Sequence, residues 1–215
     1  MLTDEQIQQN KIRFLTLISE ITIPDADTEG LVNFLDNGDF FTAPASTLYH
    51  CNYKGGLCEH SLHVYDNLKL LITQYSYEEV YSEDTIKIVA LLHDISKTNF
   101  YESYVKNEKV YDSRGSKQDN LGRFDWFAKD MYKVKDASER FLGGEHGFNS
   151  LTLLQQYIPL TYEESLAVMH HHCGFGETKQ LGDLSAILCK YPLITLLHTA
   201  DFLSTFIIEK DSCVK

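Results

Sequence analysis

The chain has 215 residues, 43% of them hydrophobic, and a formal net charge of −12. This length and apolar content suit a single domain with a core of ordinary size. Acidic residues outnumber basic residues by 31 to 19, which disfavours long nucleic acid as a partner because phosphate contacts need clustered Lys and Arg. The composition therefore favours a small or short ligand.

The sequence contains no stretch of about 18 apolar residues that would span a bilayer. Its first residues are polar and acidic where a signal peptide carries basic residues, so we expect a cytoplasmic protein without a membrane partner. The cysteines form no Cys-x-x-Cys pair, which predicts reduced thiols rather than disulfides or a thiolate zinc site. They are Cys51, Cys58, Cys173, Cys189 and Cys213.

The first part of the chain predicts three helices. Thr3 and Gln6 have the spacing of a capping box, and the apolar pattern behind them predicts an amphipathic helix over residues 3–20. A short helix is predicted over residues 31–35, after a turn rich in Asp and Gly. A third helix is predicted from the Gly pair at residues 55–56, with a near-regular apolar face as far as residue 71.

Ser76 and Glu79 repeat the capping-box spacing, and the apolar residues that follow predict a fourth helix that ends at His93. Residues 98–143 then lose the helical period, so we expect a loop or hairpin insertion that is a candidate lid. We favour a place in the core for the aromatic cluster of this insertion, with a base-stacking surface as the alternative. The cluster consists of Phe124, Trp126 and Phe127.

Helices resume after the insertion. One begins at Gly144-Glu145-His146, and Thr161 and Glu164 cap another that ends in the His run 170–172. A last helix is predicted over residues 193–201. Without an internal repeat or a linker, the predicted fold class is mainly α, a single-domain helical bundle with an irregular or hairpin insertion.

Several histidines lie at the ends or on the apolar faces of these helices, where a core-facing polar group needs a partner. Neighbouring residues on a helix lie about 100° apart, so both side chains of His93-Asp94 can reach one cation beside the helix, as can His171-His172. Imidazole and carboxylate together suit Fe, Mn, Zn, Ni or Co. The candidate ligands at this point are His60, His93, Asp94, His146, His171 and His172.

The segment VALLHDISK resembles the defining motif of the HD superfamily of metal-dependent phosphohydrolases, a helix that ends in His-Asp with a Lys nearby. GGLCEHSLHV resembles the segment of the first family ligand, His60, and LLHTADFLST that of the last, Asp201. GGEHGFNS and MHHHCGFGE resemble the extra ligand segments of two-metal members such as the HD-GYP phosphodiesterases, whose GYP loop is absent here. Ser96 replaces a Gly that is common in the family motif.

APASTLYHCNYKGGLCEH resembles the HD part of bacterial 3′-to-5′ exoribonucleases, without their nucleic-acid-binding domain. The whole chain is also similar to small stand-alone HD hydrolases of phages and Gram-positive bacteria. The resemblance implies an HD domain over residues 44–208, with residues 1–43 packed on it as N-terminal helices. It implies a class of reaction but no particular substrate.

Carried over residue by residue, the resemblance implies two divalent transition metals (Fe, Mn, Ni, Co or Zn). One metal would be held by His60, His93, Asp94 and Asp201, and Asp94 would bridge to a second held by His146, His171 and His172. The nucleophile would be a metal-activated hydroxide. Asp94 and Lys97 are then the catalytic residues, with Lys97 placed to neutralise a phosphate oxygen or to orient Asp94.

Other polar residues have two interpretations. His50 and Lys54 could bind substrate phosphate or lie in a solvated loop. His63 and His198 could support the metal ligands or simply pack against them, and we favour packing for both. His170 is a spectator. The basic residues of the insertion are assigned to the surface, with cover for a bound anion as the alternative; they are Arg114, Lys117 and Arg123.

The first predicted function is hydrolysis of a phosphate ester or phosphodiester in a nucleotide or short oligonucleotide. One alternative is a diiron oxygenase, because inositol-oxygenase relatives use similar ligands. The pair His171-His172 disfavours it, since an additional imidazole on the second iron leaves fewer positions for O₂ and substrate. The other alternative is a nucleotide-binding sensor with little turnover. The sequence leaves the metal, the substrate and the oligomeric state open.

Overall fold

The computed structural model describes residues 1–140, 145–173 and 181–210, with the backbone alone at 181–184. Over these ranges the chain forms eight α-helices and a three-stranded antiparallel sheet, so the prediction of a mainly α fold holds in part. None of the helices in these ranges is long and apolar enough to cross a membrane. Cys213 and Gly144, both named above, lie outside the described residues.

The helices are α1 (Asp4–Ser19), α2 (Thr28–Asn37), α3 (Gly56–Gln74), α4 (Glu83–Leu92), α5 (His146–Leu154), α6 (Tyr162–Met169), α7 (Leu181–Lys190) and α8 (Pro192–Leu203). Short 3₁₀ turns cover Ile95–Lys97 and Ala137–Glu139, and a π-helical turn, Ser204–Ile208, continues α8. The strands are β1 (Tyr101–Tyr111), β2 (Lys117–Asp119) and β3 (Gly122–Val134). Helix α7 was not predicted.

Two of the three predicted capping boxes are confirmed. At the start of α1, the Thr3 side chain accepts from Gln6 N at 3.2 Å and Thr3 N donates to Gln6 Oε1 at 2.8 Å. Thr161 and Glu164 make the same reciprocal pair at the start of α6. These bonds join residues only three positions apart, which is why the sequence alone predicts them.

The third predicted box is wrong. Ser76 has a φ of 60° just after the end of α3, a left-handed conformation that does not suit an N-cap residue. Ser82 caps α4 instead and accepts from Thr85 N at 3.1 Å. The segment between them forms turns that pack through Tyr81, whose hydroxyl donates to Glu163 at 2.8 Å.

The two ligand pairs do not lie on regular helix as predicted. His93 is the C-cap of α4, and Asp94 has left the helical conformation with φ −107° and ψ 18°. Helix α6 ends at Met169, and His171 and His172 lie in the turn that follows. Each pair therefore presents its side chains from the end of a helix.

One hydrophobic core joins the helices, and α3 lies at its centre with packing against α1, α4 and α8. Phe14 of α1 and Leu35 of α2 are fully buried in the same cluster as Leu68 of α3 and Leu197 of α8. The N-terminal helices thus share their core with the helices that carry the histidines.

The predicted insertion is a long hairpin. Strands β1 and β3 pair from Tyr101–Val134 to Tyr111–Phe124. Strand β2 pairs with the first three residues of β3, on its other edge. Only Phe124 of the aromatic cluster is buried, whereas Trp126 and Phe127 are 47% and 55% exposed. The core prediction is wrong for these two residues because most of the ladder carries no helix against its faces.

Candidate metal centre

All the predicted ligands fall into groups of side chains whose donor atoms lie within 4.8 Å of one another. Neighbouring groups share one histidine, so they form a single continuous cluster. The groups are His146–His171–His172, His93–Asp94–His171, His60–His93–Asp201 and His50–His60–Glu209. The structure therefore brings together residues from α3, α5, α8 and the ends of α4 and α6.

The distances between donor atoms suit shared cations. His60 Nε2 lies 3.2 Å from Asp201 Oδ1, and Nε2 of His146 lies 3.0 Å from Nε2 of His171. Ligand atoms that surround one ion at about 2.1 Å lie roughly 3.0–3.4 Å from each other. These His and Asp side chains could therefore hold a metal ion.

Asp94 contacts both ends of the cluster. Its Oδ2 lies 3.4 Å from His93 Nε2, and its Oδ1 lies 3.5 Å and 3.6 Å from Nε2 of His146 and His171. Asp94 Oδ1 and His93 Nε2 are buried and make no hydrogen bond within the described part of the chain. Such unsatisfied atoms are costly, and a cation between them would satisfy both.

Backbone carbonyl groups set the orientation of two imidazole rings. His93 Nδ1 lies 2.8 Å from Ala90 O, and His171 Nδ1 lies 2.7 Å from Val168 O. A carbonyl oxygen only accepts, so Nδ1 carries the hydrogen and Nε2 keeps its lone pair for a cation. Both rings are thus held in the tautomer that binds a metal through Nε2.

The Glu209 carboxylate orients the His60 ring as the backbone carbonyl groups orient His93 and His171. The sequence analysis missed Glu209. Its two carboxylate oxygens each lie 3.1 Å from His60 Nδ1, and Oε1 also accepts from His63 Nδ1 at 2.8 Å. Burial alone would lower the pKa of His60, but the Glu209 and Asp201 carboxylates outweigh it and raise the pKa to about 10. A cation at Nε2 would take the place of that proton.

The π-helical turn explains how Glu209 reaches His60. An α-helix turns about 100° per residue, so eight residues of regular helix would leave Glu209 about 80° away from the side on which Asp201 lies. A π turn closes one residue later and takes back about one residue of rotation. Glu209 N donates to Ser204 O at 2.9 Å, which closes this turn, so Asp201 and Glu209 approach the same ring.

Close packing at the start of α5 brings His146 to the cluster. A Cβ on Gly147 would lie 2.5 Å from Met169 O, so only glycine permits this approach of α5 to the end of α6. Ser96 supports the same junction, because its hydroxyl donates to His146 O at 3.0 Å. His198 supports the following turn by donating from Nδ1 to His171 O at 2.7 Å.

Three histidines at the edges of the cluster, His50, His146 and His172, are neutral at pH 7. The neutral form is the one that binds metals. Desolvation is the largest cause in each case. It lowers the pKa of His146 to about 2, of His172 to about 4 and of His50 to about 3, with the neighbouring imidazoles His171 and His60 acting in the same direction. Each lone pair is therefore available without the loss of a proton.

The cluster forms one wall of a cavity of about 570 Å³, a size that suits a small molecule. The side chains of His146 and His172 are 30% and 40% exposed, whereas those of His60 and His93 are 1% and 0% exposed. The cavity is lined by Tyr49, His50, Asp94, Lys97, His172, His198, Asp201, Phe202, Thr205 and Phe206. The end of the cluster at His60 and His93 is therefore the more closed one, with Asp201 alone of its three side chains on the cavity wall, and the end at His172 is open to a ligand.

Lys97 reaches the cavity, but Lys54 does not. Lys97 Nζ donates to Asp94 Oδ2 at 2.7 Å and to Ala45 O at 3.0 Å, and burial, which would lower the pKa of Lys97, is outweighed by Asp94, so the pKa is raised. Lys54 instead pairs with Asp4 at 2.8 Å and lines two separate cavities, both of which are bordered by the loop before α3 and by the sheet. His170 belongs to none of the donor groups.

No protein-family model, curated protein or solved structure matches the chain. The resemblance to the HD superfamily therefore stays a prediction that rests on the motifs quoted above. What the structure adds is the convergence of those motifs in space.

Proposed function

We propose that the chain is a metal-dependent phosphohydrolase that cleaves a phosphate ester or phosphodiester of a nucleotide or a short oligonucleotide. One observation carries the proposal: imidazoles and carboxylates from five helices or helix ends converge on the wall of a cavity that also exposes Lys97. The HD-type motifs supply the same residues in the expected order.

The donor set fits two divalent transition metals. The closed end offers His60, His93 and Asp201, the open end offers His146, His171 and His172, and Asp94 lies between them. When bound, such cations lower the pKa of water and stabilise negative charge on a phosphoryl group. The mixed nitrogen and oxygen ligands favour Fe, Mn, Co, Ni or Zn over Mg or Ca.

Lys97 supplies the charge that the chain itself directs at a phosphate. An ammonium group has three donors, and two of those of Lys97 are used by Asp94 and Ala45. The third is available to a non-bridging phosphoryl oxygen at the cavity. Lys97 therefore holds Asp94 in orientation and stabilises the charge that develops on the substrate.

The neighbouring serine is not the nucleophile in this proposal. Ser96 Oγ donates to His146 O and accepts from Ser150 Oγ at 2.9 Å, so it is engaged in joining two elements. In the proposed hydrolysis, a water molecule attacks phosphorus directly, and the bond from phosphorus to the leaving oxygen breaks. The water gives up one proton to solvent, and the leaving oxygen takes one proton from solvent.

The test combines metal content with turnover. Untagged protein is analysed for metals and assayed against a panel of nucleotide monoesters, cyclic dinucleotides and short oligonucleotides, together with Asp94→Ala and the surface control Asp36→Ala. We expect about two transition metals per chain and hydrolysis of at least one substrate class, both lost in Asp94→Ala only.

Other results would redirect the assignment. Full metal and full activity in Asp94→Ala would refute the site. Metal without hydrolysis, but with oxygen uptake on a polyol or phosphonate, would indicate the oxygenase, and nucleotide binding without any product would indicate the sensor.

A further inference from the structure

Three aromatic side chains stand exposed on the wall of the metal-site cavity. Tyr49, Phe202 and Phe206 are 67%, 44% and 53% exposed, and they line the same cavity as Asp94 and Lys97. Large aromatic side chains grouped beside convergent polar groups are typical of a ligand site. The cavity thus has a polar end at the metal ligands and an aromatic end beside it.

The two phenylalanines follow Asp201 on one helical segment. The ring centroids of Phe202 and Phe206 lie 4.6 Å apart, with the planes inclined by 46°. Five residues of helix advance by about 7 Å, so the backbone of Phe206 lies about that far along the helix from Asp201. This separation is comparable with the length of the sugar that joins a base to its 5′-phosphate. The π turn that directs Glu209 towards His60 also carries Phe206.

Tyr49 borders the cavity from a second element. Its amide donates to Ser46 Oγ at 2.9 Å, and Ser46 Oγ donates to His50 O at 2.8 Å. These bonds hold the loop before α3 in place, and the His50 ring lies 4.6 Å from that of His60. The aromatic end is therefore built from two segments that are both anchored at the metal cluster.

We propose that this aromatic wall, formed by Tyr49, Phe202 and Phe206, stacks on the base of the substrate. The inference rests on the proposed function, because it takes the phosphate to lie at the metal ligands. A ligand with an anion at one end and a flat aromatic ring at the other matches both ends of the cavity. With the two proposed divalent cations bound, their charge and that of Lys97 would exceed the charge of Asp94 and Asp201, which disfavours a cationic ligand, the other class that aromatic faces bind.

Stacking supplies affinity with little choice between bases, because every base presents a π-face. Among the described residues that line the cavity, none is the Asn or Gln that commonly pairs with an adenine edge. Thr205 Oγ1 donates to Asp201 Oδ1 at 3.4 Å. We therefore expect the subsite to require an aromatic base and to accept purines and pyrimidines alike.

The test measures the contribution of the base to binding. The probe is the non-hydrolysable 5′-phosphonate analogue of 2-aminopurine riboside monophosphate, whose fluorescence falls when its base stacks, and its partner is the same phosphonate of ribose without a base. Both are titrated by calorimetry into metal-loaded wild type, Phe206→Ala, Phe206→Tyr and Phe127→Ala. Phe127 is 55% exposed on β3, outside this cavity, and serves as the matched control.

We expect Phe206→Ala to bind the aminopurine probe about tenfold more weakly than the wild type and to quench its fluorescence less. Its affinity for the base-free probe should equal that of the wild type. Phe206→Tyr should restore binding, and Phe127→Ala should change nothing. Equal affinity of wild type and Phe206→Ala for the aminopurine probe, an equal loss for both probes, or no binding of the aminopurine probe would overturn the subsite.

Hydrolysis of the corresponding phosphate ester is assayed separately. If the base contributes as expected but no ester is cleaved, the aromatic subsite stands and the hydrolase proposal fails. If esters are cleaved and the base contributes nothing, the hydrolase proposal stands and the subsite is wrong.

Discussion

Replacing Glu209 by glutamine tests how a buried carboxylate holds a metal ligand in place. Both Glu209 oxygens lie 3.1 Å from His60 Nδ1, so either orientation of the new amide brings its NH₂ group to that distance. An NH₂ group donates, and so does Nδ1–H. The amide oxygen still accepts from Nδ1–H on one side, but the NH₂ group opposes the same hydrogen on the other, which favours a turned ring or a hydrogen on Nε2, the atom that lies 3.2 Å from Asp201. Either change removes the lone pair that would face a cation.

The magnitude follows from the role of such partners. Loss of a group that orients a metal-ligating histidine costs about 10- to 100-fold in metal affinity, which corresponds to roughly 1.4–2.8 kcal/mol. Glu209 is buried, with 6% exposure, so water cannot replace its oxygens readily. We expect the effect at the closed end of the cluster, with the metal at the open end retained.

The assay is competition for metal with a chromophoric chelator, with metals per chain counted by elemental analysis. Glu164→Gln is the matched control, because Glu164 is also buried and accepts from Thr161 N and Oγ1 at 2.8 Å, but lies in a helix cap. Glutamine suits that position of a capping box. Unchanged metal affinity in Glu209→Gln, or an equal loss in both variants, would refute the orienting role.

Three further predictions concern the cluster as a whole. His146→Ala should lower the metal content by about one ion per chain, because the closed-end donors remain; loss of both ions would contradict two separable sites. Lys97→Met should keep both metals, because Lys97 is not a ligand, and should slow hydrolysis roughly a hundredfold, since the donor to the phosphate and the bond that orients Asp94 are both lost; metal loss equal to that of His146→Ala would assign Lys97 to metal retention instead. Chelation should lower the melting temperature by roughly 10 °C, because metal at a thousandfold excess over its Kd stabilises the folded chain by about 4 kcal/mol. Calorimetric melting curves with and without chelator check this, and identical curves would show that the buried cluster folds without a cation.

Much of the helical framework follows from the sequence alone. Thr3–Gln6 and Thr161–Glu164 mark helix starts because the bonds involved join near neighbours. The same spacing at Ser76 failed because the chain there makes a left-handed turn instead of an N-cap. The bonds there are local too, because Tyr77 N donates to Ile72 O at 2.9 Å and closes the end of α3. A spacing pattern thus predicts a helix start only where the same residues do not already cap the end of the preceding helix.

The candidate ligands were also found from the sequence. The histidines and Asp94 stood out because polar side chains at helix ends or on apolar faces need a partner, and Asp201 was implied by the resemblance to the HD motifs. Glu209 carried no such signal: it lies 149 positions from His60, and only a π turn brings it there. Nor could helical spacing distinguish the exposed Phe202 and Phe206 from core residues, since both sit on an apolar helix.

The features that were predicted and those that were missed differ in the range of the interactions that decide them. Capping bonds and apolar periodicity act over a few residues, so the sequence by itself determined the main helices, the ligand types and their order along the chain. Which faces are covered depends on contacts between residues far apart. Tertiary structure alone therefore decided that Trp126 and Phe127 stay exposed, that Lys54 pairs with Asp4 away from the cluster, and that an aromatic wall stands beside the candidate ligands.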